Sequence, residues 1–321
     1  MFPTPTTATR TRSIPLASHT VPLRFSVGLP TDHVAAADDF VSGEAVMECA
    51  KAAEEAGFDA CFVTDHPAPD SKWLATGGHH ALDPFVALSF AAAATTRLRV
   101  QTHILVLAYR NPMLTAKSVL SLDRLSGGRV ILGVAAGYLK PEFAALGVDF
   151  DERNALTDEA IDVMRRVWSE DDVAVDGRHF HSRGTTMWPR PVQLPHPPIW
   201  IGGNSTAAMR RAVERAEGWV PFPNPATVSM RVRTPPLSTL DELGHRLDAM
   251  HDYARRVGRD AQIDVCFAPF TSRLDPMREE LEQMEAMGVT WTTVGARQAR
   301  TRAEWIDEVR TLGEKVVAQY R

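Results

Sequence analysis

The stretch from residue 111 to residue 138 constrains the fold more than any other. Asn111 followed by Pro112 marks a helix start: an N-cap side chain, then proline at the first helical position, where its missing N–H costs nothing. Met113, Ala116, Leu120, Leu122 and Leu125 then recur at helical spacing and predict one apolar face. Ser126, Gly127 and Gly128 stop that helix, because glycine takes the left-handed conformation past a helix end at little cost. Residues 130–136 (VILGVAA) form an unbroken run of apolar and small side chains. Such a run suits a strand buried on both faces, as in a parallel sheet covered by helices. Gly137 and Tyr138 end it and open a polar loop. Helix, glycine stop, buried strand and loop make one unit of an α/β protein.

The same alternation runs through the chain. Strands are expected at residues 23–29, 58–63, 98–105, 130–136, 198–201, 218–221, 263–267 and 289–294, with helices between them. Eight such alternations predict a (β/α)8 TIM barrel, with insertions after the fourth and sixth strands. The first insertion reads as a hairpin at residues 173–188, the second as an irregular stretch at residues 223–236. An open doubly wound sheet is the alternative, and the missing G-x-G-x-x-G after the first strand counts against it. A chain of 321 residues fits one such domain at residues 21–321, behind a Thr-, Pro- and Ser-rich tail, residues 1–20, expected to be disordered. The net charge of -5 offers no basic surface for nucleic acid. No apolar run nears the ~20 residues of a membrane span. Three cysteines in no CxxC pair suit a reducing cytoplasm rather than a disulfide framework or a zinc site.

Four words of the sequence carry a resemblance. NPMLTAKSVLSLDRLSGGRVILGV, EFAALGVDFDER, PPIWIGGNS and EGWVP occur in that order. They resemble the luciferase-like oxidoreductases, the superfamily of bacterial luciferase, flavin-dependent monooxygenases and dehydrogenases that use coenzyme F420, a 5-deazaflavin. The resemblance implies a barrel, a separate enzyme that reduces the cofactor, and a homodimer. Arginine outnumbers lysine thirty to five, the bias of a GC-rich genome, which fits an actinobacterium.

In a barrel the active site lies at the C-terminal ends of the strands. Asp65 and His66 directly follow the second strand. Histidine titrates near neutral pH and serves as base, acid or hydrogen-bond donor, although a capping Asp beside a surface His is the plainer reading. The resemblance favours function: deazaflavin dehydrogenases of the superfamily carry an acidic residue and a histidine here, the histidine against the ring and the acid helping to hold the cofactor. The resemblance also places a non-proline cis peptide, bulging toward the flavin, at His103–Ile104. His103 itself is either a ring contact or a core-facing polar residue. Gly202, Gly203, Asn204 and Ser205 join a strand to a helix start. Glycines let backbone approach a ligand and free N–H groups attract phosphate, although a GG before a helix is more often a plain turn; the flanking PPIW and the resemblance favour a cofactor-phosphate site here, for FMN and F420 alike. Ala136 and Gly137 complete the cofactor contacts. In the family's sugar-phosphate dehydrogenases a proton-donating glutamate follows that glycine. Tyr138 stands there instead, able to donate a hydrogen bond or stack, which puts sugar-phosphate oxidation in doubt. Glu142 reads as a solvated loop carboxylate. His179 and His181 alternate and His79 and His80 adjoin, but no further ligands stand at metal-site spacing, and no metal is expected. Trp188, Trp200 and Trp219 read as core or pocket lining.

The leading expectation is an oxidoreductase moving a hydride to or from C5 of coenzyme F420, with His66 and Tyr138 catalytic and a small organic molecule as substrate. An FMN-dependent two-component monooxygenase is the first alternative, and a non-catalytic flavin-binding relative the second.

Overall fold

A computed structural model describes residues 22–229, 233–296 and 299–321, so the expected tail lies outside the described residues. The strands are β1 (Arg24–Gly28), β2 (Ala60–Val63), β3 (Arg99–Val106), β4 (Val130–Ala135), β5 (Val173–Asp176), β6 (His181–Thr185), β7 (Ile199–Gly202), β8 (Gly218–Val220), β9 (Asp264–Val265) and β10 (Trp291–Val294). Eight of them form one parallel sheet in the order β10-β1-β2-β3-β4-β7-β8-β9. A parallel bridge from Cys266 to Trp291, with the Phe267 N–H donating to the Trp291 carbonyl (3.0 Å), carries the ladder from β9 back to β10. The result is a (β/α)8 barrel. β9 is shorter than the apolar run at residues 263–267 suggests, because only the bridge continues its pairing. β5 and β6 pair antiparallel outside the barrel.

The helices are α1 (Ala37–Phe40), α2 (Gly43–Glu55), α3 (Ser71–Ala75), α4 (Pro84–Ala94), α5 (Pro112–Ser126), α6 (Lys140–Ala145), α7 (Arg153–Ser169), α8 (Thr206–Arg215), α9 (Ala226–Ser229), α10 (Leu240–Arg256), α11 (Leu274–Ala286) and α12 (Arg302–Lys315). The helices α1, α3, α6 and α9 were not expected, since one or two turns are too short to show a helical period. Successive side chains on a strand point to opposite faces, and the packing follows this. Ala60, Ile131, Trp200, Val220, Cys266 and Trp291 cluster inside the barrel. Their strand neighbours Cys61, Leu132, Ile201 and Trp219 pack outward against the helices. The rings of Trp200 and Trp291, 5.2 Å apart and edge to face, fill the barrel interior.

The unit at residues 111–138 forms as its sequence dictates. The Asn111 side chain accepts from the Met113 N–H (2.9 Å), and Gly127 takes φ 70° at the end of α5. Leu125 is the exception: it is 81% exposed, and the buried face carries Asp123 and Ser126 instead. Asp123 is fully buried. It accepts from the N–H groups of Val192 (2.7 Å) and Gln193 (3.3 Å) and from the Gln193 amide (2.8 Å), and so ties α5 to the segment entering β7. Arg129 closes the other side, donating to the carbonyls of Ala92, Thr95, Leu98 and Ser126. Asp123→Ala is expected to lower stability by about 3 kcal/mol, because charge-assisted bonds are lost and a buried N–H is left unpaired. Urea unfolding measures this, and a loss within about 0.5 kcal/mol, the usual surface-substitution range, would show that the tie is dispensable.

The three cysteines are buried free thiols, and burial pushes Cys49 and Cys61 up to about 12. No described helix is long and apolar enough to cross a membrane.

Candidate active site

Three strand ends meet at one side of the barrel mouth. His66 follows β2, Tyr109 follows β3, and Glu142 lies in α6 after β4. Their side chains touch. The Glu142 Oε2 lies 3.2 Å from His66 Nδ1 and accepts from the Tyr109 hydroxyl at 2.8 Å, while Oε1 accepts from the Ala68 N–H at 2.9 Å. Glu142 has no exposed surface, which corrects its reading as a solvated loop carboxylate. Burial alone raises its carboxyl, but the hydrogen bonds from His66, the Ala68 N–H and Tyr109 outweigh that and hold it below the usual carboxylate range. Burial and the adjacent carboxylate push the Tyr109 phenol far up, so it stays protonated and donates.

Aromatic rings fix the His66 imidazole on its other sides. Trp73 lies 4.4 Å away between centroids, His79 4.9 Å away edge to face, and Tyr138 6.1 Å away. Asp70 caps α3 through the N–H groups of Lys72 and Trp73, which brings Trp73 to this place. Gly137, at φ 83°, packs against Val106 and Phe143, and this turn swings Tyr138 toward His66. Ala136, half-buried, leads into that turn from the end of β4. His79 also lines a cavity of about 440 Å³ at the ends of β1, β2 and β10, together with Gly28, Thr31, Phe62 and Gly295. The Phe62 ring in turn lies 4.5 Å from His103.

His103–Ile104 is a cis peptide, at a register shift in the β3–β4 ladder. Ile104 packs against the cluster inside the barrel and lies against Gly202, where an added Cβ would stand 3.1 Å from it. The His103 Nδ1 is 3.3 Å from the Gln101 amide nitrogen, whose oxygen accepts from Ser26.

The side chains of Asp65 and Asn204, two of the expected cofactor contacts, are engaged by the chain itself. Asp65 is 3% exposed and spends both oxygens on the chain, one on Arg110 (2.9 Å) and one on the Val106 N–H (3.0 Å). Burial raises its carboxyl, opposed by Arg110 and that N–H. It therefore pins the end of β3. Asn204, fully buried, donates to the carbonyls of Phe222 and Pro235 and accepts from the Phe222 N–H, clipping the β7 loop to the segment after β8. The N–H groups of Gly203 and Asn204 are also used, by Val220 and Thr234. Ser205 caps α8 by accepting from the Ala208 N–H (3.1 Å). The N–H groups of Ser205, Thr206 and Ala207 are left without a partner among the described residues, so the unpaired donors of this loop begin at Ser205, the last of the four expected residues.

The paired histidines disperse. His179 faces Glu152 and His181 faces Asp176 in the hairpin, whereas His79 reaches the mouth. Trp200 and Trp219 are buried, but Trp188 is 61% exposed, with the Arg190 guanidinium over its ring. Trp73, His79, Tyr109 and Glu142 were missed as site residues. Each lies some residues past a strand end, and only the folded loops bring them to His66.

A family model for luciferase-like monooxygenases matches residues 23–316. The chain is 27% identical over 280 residues to an uncharacterised protein of Mycobacterium tuberculosis, covering 81% of this chain and 90% of that protein. It is 34% identical over 193 residues to an F420-dependent glucose-6-phosphate dehydrogenase of Gordonia bronchialis, a match covering 58% of this chain and 54% of that enzyme. The crystal structure of monooxygenase RslO1 from Streptomyces bottropensis shares the fold, with a TM-score of 0.76, 21% identity, and coverage of 93% of this chain and 100% of that one.

Proposed function

The chain belongs to the luciferase-like monooxygenase family and is an oxidoreductase; from that premise we propose that it transfers a hydride between C5 of coenzyme F420 and a small organic substrate at the barrel mouth. The buried chain from Tyr109 through Glu142 to His66 carries this reading. The kinship with an F420-dependent dehydrogenase supports the deazaflavin over FMN. When bound, the deazaflavin supplies the hydride chemistry, and the protein supplies position and proton management. The residues present fit such a group. Backbone without Cβ atoms lies at Gly202 and Gly203 beside Ile104, and the unpartnered N–H groups at the start of α8 suit a phosphate.

Glu142 is ionised and therefore accepts only. The proton between it and His66 then belongs to Nδ1, which leaves Nε2 to take or give a proton at the substrate. Tyr109 and the Ala68 N–H hold the carboxylate, and so the imidazole, in one orientation. Tyr138, beside His66, offers its hydroxyl as a hydrogen-bond donor to the substrate. Separate fluorescence titrations with coenzyme F420 and FMN test the cofactor, followed by anaerobic turnover with reduced coenzyme F420. Binding of FMN alone, or turnover only with oxygen, would replace the reading with a flavin monooxygenase.

Glu142→Gln keeps the shape but only one acceptor oxygen: with that oxygen on the Ala68 N–H, the amide NH2 faces His66 and Tyr109 as a donor, so the tautomer is no longer fixed. Turnover is expected to fall about 10- to 100-fold, the scale of a disturbed acid–base group, with the fold intact. The depressed carboxyl also adds stability that is present above the ordinary carboxylate range and lost as pH falls through its folded value. Acid unfolding of the variant should lack that loss, and identical acid curves for the two proteins would contradict the assignment.

A separate enzyme reduces the cofactor in this reading, and the chain works as a homodimer. Val86 and Phe90 on α4 and Leu114 and Leu125 on the neighbouring α5 are exposed apolar side chains that a second copy would cover. Light scattering should give twice the chain mass, and a single chain mass at micromolar concentration would refute the dimer.

A further inference from the structure

The opposite pole of the barrel holds a second cavity, of about 460 Å³, that the proposed reaction does not use. Its lining includes Arg24, Asp59, Arg97, Arg99, Trp291 and Arg321, residues at or near the starting ends of β1, β2, β3 and β10. Four guanidinium groups thus face one carboxylate side chain. That carboxylate is already committed, since the Asp59 Oδ2 accepts from Arg321 (2.6 Å) and from the Phe25 N–H (2.7 Å). The Arg24 guanidinium lies over the Trp291 ring at 4.9 Å and makes no ion pair or hydrogen bond among the described residues. Arg99 donates through one nitrogen to the Val130 carbonyl and the Gln193 amide oxygen, but among the described residues its buried Nε has no partner. Among those residues the indole N–H of Trp291, a side chain 1% exposed, has none either.

Buried donors without partners and adjacent like charges both cost free energy in a folded protein. Burial lowers the Arg99 guanidinium below its usual range and the neighbouring Arg24 adds to this, opposed by Asp264 and Asp123. An oxyanion between the arginines would offset the repulsion between them. Guanidinium forks match the spacing of phosphate oxygens and bind them through paired hydrogen bonds. The cavity has the size of a small-ligand pocket. The paired tryptophans inside the barrel separate it from the mouth, so it is distinct from any cofactor-phosphate site at residues 202–207.

We propose that this pole is a phosphate-binding site, taking the phosphate group of a free anion or a small phosphomonoester between Arg24, Arg99 and Arg321. Because these residues belong to the ends of β1 and β3 and to the C-terminal segment, the anion would tie separate parts of the barrel wall together. It would bind only the folded chain and raise its melting temperature.

The test is calorimetric titration of the full chain with inorganic phosphate and, separately, with glycerol 3-phosphate, at ionic strength held constant with chloride. A saturable site in addition to any at the start of α8 is expected, with a matching rise in Tm. Arg24→Gln and the exposed Arg321→Gln should each weaken it by at least about tenfold, the scale of a lost charge-assisted hydrogen bond. Gly203→Asp, at the other pole, should leave it unchanged. Tighter binding of glycerol 3-phosphate than of phosphate would support a phosphomonoester, and equal binding the phosphate group alone. Absence of saturation above the chloride control overturns the proposal. So does phosphate binding that survives in both arginine variants and disappears in Gly203→Asp, which would locate the anion at the mouth instead.

Discussion

His66→Ala is expected to lower turnover by about a hundredfold or more, the usual scale for a positioned acid–base group, while cofactor affinity changes far less. The reason is the arrangement around the ring. Glu142, with both oxygens engaged, fixes the Nδ1 side, and Trp73, His79 and Tyr138 fix the plane. An alanine there removes the imidazole that Glu142 orients, and with it the nitrogen proposed to exchange a proton with the substrate. The measurement is the change in deazaflavin absorbance with a substrate that the parent protein turns over, alongside a cofactor titration. Near-native turnover would reduce His66 to a packing residue among three aromatic neighbours. A parallel loss of melting temperature in His66→Ala but not in His66→Gln would lead to the same conclusion.

The second large effect is expected at Gly203→Asp. Gly203 takes φ 122°, a conformation that side chains rarely adopt, and a Cβ there would stand 3.3 Å from the Ala208 methyl. The substitution also brings a carboxylate to the start of α8, where the N–H groups of Ser205, Thr206 and Ala207, without a partner among the described residues, are proposed to meet the cofactor phosphate. Affinity for the intact cofactor should fall by about a hundredfold, since like-charge juxtaposition at a binding site costs several kcal/mol. A dephosphorylated cofactor should bind the parent weakly and lose little more in the variant. Gly203→Ala carries the backbone strain without the charge, and so separates the two causes. Equal losses for both cofactor forms would point to a distorted loop, and no loss for either would remove this helix start from the cofactor site.

These two positions differ in how far the sequence reveals them. His66 stands directly after a strand, and the rule that barrel sites lie at strand ends selects it from sequence alone. Its partner Glu142 lies seventy-six residues away on α6, and nothing in the local pattern separates it from a solvated carboxylate. Asn204 shows the converse. Its place in a glycine loop before a helix suggests a ligand contact, yet its amide is consumed by Phe222 and Pro235. Whether a polar side chain serves a ligand or the chain depends on which backbone groups the fold leaves unpaired nearby, and sequence spacing does not encode that.

The sequence by itself determined the barrel. Apolar runs with a period set by strand and helix geometry, capped at Asn111, Asp83 and Ser205 and stopped at Gly127, are local properties, and each element forms from its own residues. Leu125 marks the limit of that reading, because helical spacing alone does not say which side of α5 the sheet will cover. Tertiary structure decided the pairings: Asp123 with residues 192 and 193, Asp65 with Arg110 and Val106, Glu142 with His66 and Tyr109, and four arginines around one pole. These join side chains tens of residues apart or more. Their strength comes from burial in a shared low-dielectric space that exists only once the eight strands have closed.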